Sequence, residues 1–115
     1  MRTEIAAAGY SVSDGAPRFT TESVVSAGLP DGTRLITIYG ANLASETMTA
    51  PEGSPPVILG GTIVYINGYF APLLYVSAGQ INAQVPVGLP QGSVSLAVVS
   101  GTEVSAPVPV NISQP

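Results

Sequence analysis

Glycines and prolines punctuate this chain along its whole length, and only short apolar runs lie between them. The 115 residues include 13 Gly and 11 Pro, while 45% of all residues are hydrophobic and 9% are charged. Both residues destabilise helix interiors, whereas many short strands joined by tight turns use them freely. Because a chain of this length forms about one core, the pattern predicts a single all-β domain.

The charge composition narrows the class of partner. Seven acidic residues stand against three arginines, there is no lysine, and the net charge is −4. Binding to nucleic acid or to an anionic membrane surface needs a cluster of cationic side chains, which this chain lacks. We therefore expect neither nucleic acid nor a membrane as a partner.

The residues that carry most enzyme chemistry are missing. Cysteine and histidine are absent, which excludes a disulfide, a thiolate nucleophile, an imidazole base and the usual zinc ligands. Serine and threonine hydroxyls have no lysine or histidine to activate them. We therefore expect no catalytic residues and no cofactor.

The acidic residues show no metal-binding or catalytic arrangement. The carboxylates considered are Asp14, Asp31, Glu46, Glu52 and Glu103. None has the Asp-x-Asp spacing of a calcium loop, and all fall in predicted turns or at strand ends. A glycosidase would need two carboxylates facing each other across a cleft, and no cleft is marked. We interpret them as solvated charges and expect no metal site.

The clearest local signal is the pair Asn67-Gly68, which separates the β-prone runs TIVYI and YFAPLLYV. Both residues tolerate a positive φ, so this pair favours the type I′ turn of a two-residue hairpin loop. The sequence therefore predicts a β-hairpin centred on it.

Alternation of apolar and polar residues predicts further strands and their core-facing sides. The predicted core positions are Ile36 and Ile38; Ile81, Ala83 and Val85; Val94, Leu96 and Val98; and Val104, Ala106, Val108, Val110 and Ile112. Residues 41–61 contain several glycines and prolines and are predicted to be a long connection with at most one short strand.

Two prolines in the last predicted strand define its place in the sheet. Pro107 and Pro109 are two residues apart, so both lack an N–H on the same flank of the strand. Only the other flank can pair along its length. The strand is therefore predicted to form a sheet edge that resists further pairing.

The first 22 residues show no sustained period and contain several turn-forming residues. We predict that residues 1–22 form an N-terminal arm, irregular or with one short strand, and that residues 23–115 form the domain. The apolar residues of the arm are expected to be able to lie against that domain.

Several motifs together resemble a known domain family. The segment GTRLITIYGANL is similar to the opening strand of IPT/TIG domains, with a Gly-Thr turn, a strand and then Gly-x-Asn-Leu. VYINGYFAPLLYVSAGQINAQVPVG and GSVSLAVVSGTEVSAPVPV follow in the same order and spacing. The resemblance covers about residues 24–112. It is closest to a largely uncharacterised bacterial subset, found at the C-terminal end of large secreted proteins, in which APLLYVSAGQINAQVP is the signature.

The resemblance implies an immunoglobulin-like β-sandwich of about seven strands with Greek-key connections. It also implies a non-catalytic accessory or spacer module of a secreted or surface-attached bacterial protein, with other domains of that protein as partners. The wider family includes spacer, adhesion, carbohydrate-adjacent and DNA-contacting modules, so fold alone does not settle the function.

Two groups of side chains are candidates for binding a polysaccharide or a protein. Gln80, Asn82 and Gln84 form a row of amides on one side of a predicted strand, and amides offer donors and acceptors. The alternative, which we favour, is a solvated strand face.

Aromatic side chains near the predicted hairpin form the second group. Tyr65, Tyr69 and Phe70 could stack on a sugar ring or anchor a protein partner. The alternative, again favoured, is that Phe70 packs inward and Tyr65 braces the sheet.

A function of another class also fits the sequence. The chain could be a structural subunit that self-assembles, with the N-terminal arm adding as a strand to a free sheet edge of a neighbour. The prolines of the last strand require the acceptor to be a different edge.

Overall fold

The computed structural model describes residues 15–30, 32–86, 89 and 92–112, and these form a β-sandwich. A 3₁₀ turn at Thr21–Ser23 leads into the first strand. The strands are β1 Val24–Gly28, β2 Arg34–Tyr39, β3 Met48–Thr49, β4 Thr62–Ile66, β5 Tyr69–Phe70, β6 Leu73–Val76, β7 Gln80–Gln84, β8 Gly92–Ser100, β9 Glu103–Val104 and β10 Val108–Ile112.

The strands form two antiparallel sheets. The order of the first sheet is β1-β2-β7-β6-β3, and that of the second is β10-β8-β4-β5, with β9 also pairing with β8. Strands far apart in sequence are neighbours, since β7 returns beside β2 and β8 beside β4. The predicted immunoglobulin-like sandwich is confirmed. Seven strands of the described ranges have four residues or more, and the three others have two.

The core lies between the two sheets and is built from alternating aliphatic residues. Fully buried positions include Ile36, Ile38, Val64, Ile66, Leu73, Val76, Ile81, Ala83, Leu96 and Val98. Full burial of one such aliphatic side chain contributes about 1.5–3 kcal/mol, so this set dominates the stability of the fold. The predicted core faces of β2, β7 and β8 are therefore confirmed.

The predicted type I′ hairpin is also present. Asn67 and Gly68 have φ values of 52° and 84°, which are both left-handed as this turn requires. The Asn67 Oδ1 accepts the Ser95 N–H at 2.8 Å and so ties the turn to β8. The following run does not stay in one sheet, however. After β5 the chain crosses at Ala71 and Pro72 to form β6 in the first sheet.

The last strand was predicted correctly as an edge but wrongly as one regular strand. Val104 pairs with Val99, whereas Val108 pairs with Leu96, so one extra residue separates β9 from β10. At this bulge Ser105 is buried and exchanges hydrogen bonds with Val98. The inserted residue reverses the alternation, so Val104 is 51% exposed instead of facing the core.

Ala106, also predicted to face the core, is only half-buried and lies between the two strands. The later positions of this face are as expected where the structure describes them. Val110 is buried, and Val108 packs partly buried against the core.

Pro109 lies opposite Ser95 on β8. The Ser95 carbonyl oxygen accepts the N–H of Asn67, which lies in the turn after β4 on the other side of β8. The proline nitrogen therefore faces away from β8, as an edge position requires. The side chain of Ile112 lies outside the described part of the chain.

The described end of the N-terminal arm is attached to the end of β2. Arg18 and Ala41 exchange backbone hydrogen bonds of 2.9 Å in both directions. Gly40 permits this contact, because a Cβ there would collide with the Arg18 carbonyl oxygen. Asn42 follows at a φ of 59°, and Leu43 then enters the core. Residues 1–14 of the predicted arm lie outside the described residues.

The contact between Gly40 and the arm gives a testable prediction. In Gly40→Ala the new methyl group would collide with backbone atoms of Arg18, so the arm must move away. We expect a loss of about 1–3 kcal/mol in the free energy of unfolding, measured by thermal or urea denaturation. Gly79→Ala is the matched control, since its Cβ would be 3.8 Å from the nearest atom, the Gly40 carbonyl oxygen. Equal stability of the two variants would contradict the close contact.

The bulge at Ser105 gives a second prediction. Its Oγ accepts the Val98 N–H at 2.9 Å in a buried position. Ser105→Ala leaves that N–H without a partner, which should cost about 1–3 kcal/mol in the free energy of unfolding. Ser95→Ala, at an exposed position of β8, should change stability by no more than about 0.5 kcal/mol. A neutral Ser105→Ala would show that the hydroxyl does not hold the bulge.

Candidate functional site

The predicted amide row lies on the outer face of the first sheet. Gln80, Asn82 and Gln84 are half-buried on β7, while Ile81 and Ala83 between them are fully buried. The Gln80 Nε2 donates a hydrogen bond of 3.0 Å to the Asn82 Oδ1. This bond orients both amides and leaves the Gln80 Oε1 and the Asn82 Nδ2 to face other partners.

Neighbouring strands surround the row with further uncharged side chains. On β2, Tyr39 lies opposite Gln80, Thr37 opposite Asn82 and Leu35 opposite Gln84. On β6, Tyr75 lies opposite Asn82. We call this surface the amide face; its residues are Leu35, Thr37, Tyr39, Tyr75, Gln80, Asn82 and Gln84.

The chemistry of the amide face is neutral hydrogen bonding beside tyrosine rings. None of its seven residues carries a charge at neutral pH, and Tyr39 is 47% exposed. Amide groups can donate and accept at once, and tyrosine combines a flat apolar ring with a hydroxyl. Such a surface suits a ligand that presents many hydroxyl or amide groups without a net charge.

The predicted core face of β2, with Ile36 and Ile38, puts Tyr39 on its outer side, but the sequence analysis did not connect Tyr39 with the amides. It missed Tyr75 altogether. The register of β6 against β7 shifts between Leu73 and Tyr75, so simple alternation from the buried Leu73 would turn Tyr75 inward. No pattern in the sequence indicates this irregularity. Tyr39 could have been placed beside the amides once β2 was known to pair with β7.

The aromatic group lies at the other sheet. Tyr69 is 60% exposed and Phe70 is 51% exposed, while Tyr65 is half-buried. The rings of Tyr65 and Phe70 are 5.0 Å apart between centroids and tilted by 41°. The interpretation that Phe70 packs inward was wrong. Phe70 pairs with Tyr65 across the hairpin, and both project from the outer face because Val64 and Ile66 project inward.

The structure therefore does not bring the six predicted binding residues into one site. The amides belong to the outer face of the first sheet, and the aromatic residues belong to the hairpin of the second sheet. The two outer faces of a sandwich point in opposite directions, so one small ligand could not contact both.

The acidic residues lie apart from both groups. Glu46 and Glu52 are exposed in the connection around β3, and Glu103 is half-buried on β9. Within the described ranges, no three acidic side chains come together as metal ligands would. Asp14 and Asp31 lie outside those ranges.

An open groove of about 540 Å³ was not foreseen from the sequence. It lies where the arm meets the ends of β2 and β10, and apolar side chains and backbone form most of its walls. The lining residues are Pro17, Arg18, Phe19, Thr20, Ser23, Tyr39, Gly40, Ala41, Ser105, Ala106 and Val108. Three segments far apart in sequence build it, so no local motif could have indicated it.

Comparison with known proteins assigns the fold to a family. No helix in the part of the chain that the structure describes has the length and apolar character of a membrane span. Searches of curated proteins and of solved structures found no match. The IPT/TIG domain family matches residues 20–112, which include every strand described above. This chain therefore belongs to the IPT/TIG family of immunoglobulin-like domains.

Proposed function

We propose that this domain is a non-catalytic accessory module of a secreted or surface-attached bacterial protein, and that its amide face binds neutral polysaccharide weakly. IPT/TIG domains are non-enzymatic, occur often in multidomain proteins and mediate protein interactions. The bacterial setting, at the C-terminal end of a large secreted protein, rests on the resemblance of the segment at residues 71–86. In this role the module also spaces or presents the other domains of its parent protein.

The amide face is the observation that carries the binding proposal. Three amides stand on a central strand, where strands on both sides hold them in place. Tyr39 and Tyr75 lie beside Gln80 and Asn82, so a ring for stacking is close to donors and acceptors. Sugar rings have an apolar face, which can stack on the tyrosine rings, and a rim of hydroxyl groups, which can bond with the amides.

The shape of the surface sets the expected strength. A sheet face is shallow and buries little of a ligand, and much of the binding energy offsets the lost freedom of the partners. We expect dissociation constants on the order of 0.1–1 mM for a single domain. Binding of this strength suits an accessory module whose neighbours supply further contacts.

Self-assembly by strand addition is the second candidate function. The observation that favours it is β1, an edge strand whose residues are mostly exposed. The arm of residues 1–22 would be the donor in such an assembly, and the β1 edge would be the acceptor.

The glycan-binding proposal can be tested by affinity electrophoresis and by pull-down with neutral polysaccharides such as cellulose, chitin and amylose. Tyr39→Ala and Asn82→Ala should each weaken retention about 5- to 10-fold, which corresponds to about 1–1.4 kcal/mol. Both positions are on the outer face, so thermal denaturation should show folded variants.

Tyr69→Ala is the matched control, because it removes a more exposed ring from the other sheet. It should bind as the unchanged protein does. Loss of binding in Tyr69→Ala alone would move the site to the hairpin. If no polymer is retained, the binding proposal is wrong and a spacer role remains.

A further inference from the structure

The sheet edges of this domain are protected unequally. In the described residues, β1 and β3 end the first sheet, and β5 and β10 end the second. A free edge strand exposes unpaired backbone groups and can pair with another chain, so folded proteins usually blunt such edges. Two of these four edges, β3 and β5, are only two residues long.

The β10 edge is blunted in two ways. Pro109 removes a donor from its outer flank, and the Thr21 hydroxyl donates to the Pro109 carbonyl oxygen at 2.6 Å. The β1 edge has neither device. It has five residues without proline or charge, and Val25, its second residue, is 54% exposed. Of the four described edges, β1 is therefore the one suited to pairing.

The hairpin between β1 and β2 fixes which groups of β1 face outward. The Leu29 N–H donates to the Thr33 carbonyl oxygen at 2.7 Å, and the Gly32 N–H donates to the Leu29 carbonyl oxygen at 3.0 Å. Hydrogen-bonded pairs recur at every second residue of an antiparallel ladder. Val25 and Ala27 thus bond with β2, as Leu29 does. The backbone groups of Val24, Ser26 and Gly28 point away from β2.

One donor on that outer flank is already used. The Val24 N–H is hydrogen-bonded to the Thr21 carbonyl oxygen. Towards the residues that the structure describes, the flank therefore offers the carbonyl oxygen of Val24 and both backbone groups of Ser26 and Gly28. Val24 thus offers one acceptor, and Ser26 and Gly28 each offer one donor and one acceptor.

We propose that β1 pairs antiparallel with β1 of a second copy of this chain, with the two-fold axis at Ser26. In this register the two Ser26 residues exchange both backbone hydrogen bonds. The Gly28 N–H of each copy donates to the Val24 carbonyl oxygen of the other. Every outward donor that is not already bonded finds an acceptor, and the first sheets of the two copies become continuous.

Registers with the axis two residues away are worse for identifiable reasons. An axis at Gly28 would place Ser26 opposite Pro30, which has no N–H to donate. An axis at Val24 would place Ser26 opposite Glu22, which lies in the 3₁₀ turn instead of in a strand. The axis at Ser26 avoids both obstacles.

An axis at Ala27 would pair the Ser26 and Gly28 groups of the two copies, but it would place the two Ala27 residues opposite each other. Fastest disulfide formation by Ala27→Cys chains alone would therefore overturn the Ser26 axis.

The contact also covers apolar surface. Val25, which is 54% exposed, comes to lie opposite the partner's Ala27.

The proposed pairing has a consequence for the amide face. Cross-strand partners in an antiparallel sheet share a face, so the amide faces of both copies would lie on one side of the joined sheet. This consequence rests on the proposed glycan binding, whereas the pairing itself does not. Two faces in one surface would raise the avidity for a long polymer.

The register can be tested by cross-linking, because the full chain contains no cysteine. Val25 and Ala27 of opposite copies would form a non-hydrogen-bonded pair, with Cα atoms about 4.5 Å apart and within disulfide range. An equimolar mixture of Val25→Cys and Ala27→Cys chains should form disulfide dimers at least about ten times faster than either variant alone. Equal rates in the mixture and in the single variants would overturn the register.

The edge contact itself can be tested by analytical ultracentrifugation of the full chain up to about 1 mM, since an interface this small should have a dissociation constant on the order of 10–1000 µM. Ser26→Pro removes an N–H that does not bond with β2, so it should raise the dissociation constant at least about tenfold in a folded protein. Ser26→Thr keeps the N–H and is the matched control, which should dimerise as the unchanged chain does.

Two outcomes of that experiment would overturn the proposal. One is a chain that remains monomeric at about 1 mM. The other is a dimer that survives Ser26→Pro but is lost when residues 1–14 are removed, which would assign the assembly to strand addition by the arm. Loss of glycan binding with the dimer intact would affect the proposed function alone.

Discussion

The fold depends on burial of aliphatic side chains from two pairs of central strands. Ile36 and Ile38 on β2 and Ile81 and Ala83 on β7 form one wall, and β4 and β8 supply the other. Because strand side chains alternate, each buried residue fixes the outward direction of its neighbours. The same alternation that closes the core therefore presents the amides to solvent. The alternation of side chains along the strands thus determines both the core and the candidate site.

Much of the fold could be predicted because its signals are local. The Asn67-Gly68 turn and the alternation in β2, β7 and β8 each depend on a few consecutive residues. The orientation of Phe70 could have been predicted too. A two-residue turn places Phe70 opposite Tyr65, and an inward Ile66 requires both to face outward. The error came from judging Phe70 by its hydrophobicity instead of by its register.

Other features could not be predicted because they depend on irregular backbone pairing. At Ser105 a side-chain oxygen accepts the Val98 N–H, and the inserted residue reverses the alternation that Val104 had suggested. The shift in β6 likewise turned Tyr75 to the amide face. Both irregularities lie between consecutive strands, and they depend on which residues pair across the hairpin, which the alternation of apolar and polar residues does not encode. Tyr75 of the candidate site was not found from the sequence for this reason.

Native-state amide hydrogen exchange reports which backbone groups the paired strands protect, so it measures the strand pairing on which the core and the β1 edge depend. We expect the slowest exchange at Ile36 and Ile38 on β2 and across β7, at a protein concentration low enough to keep the chain monomeric. Ser26 and Gly28, with outward N–H groups on β1, should exchange fast while Val25 and Ala27 are slower. Fast exchange throughout β2 and β7, or no alternation along β1, would show that these strands are not paired in this way.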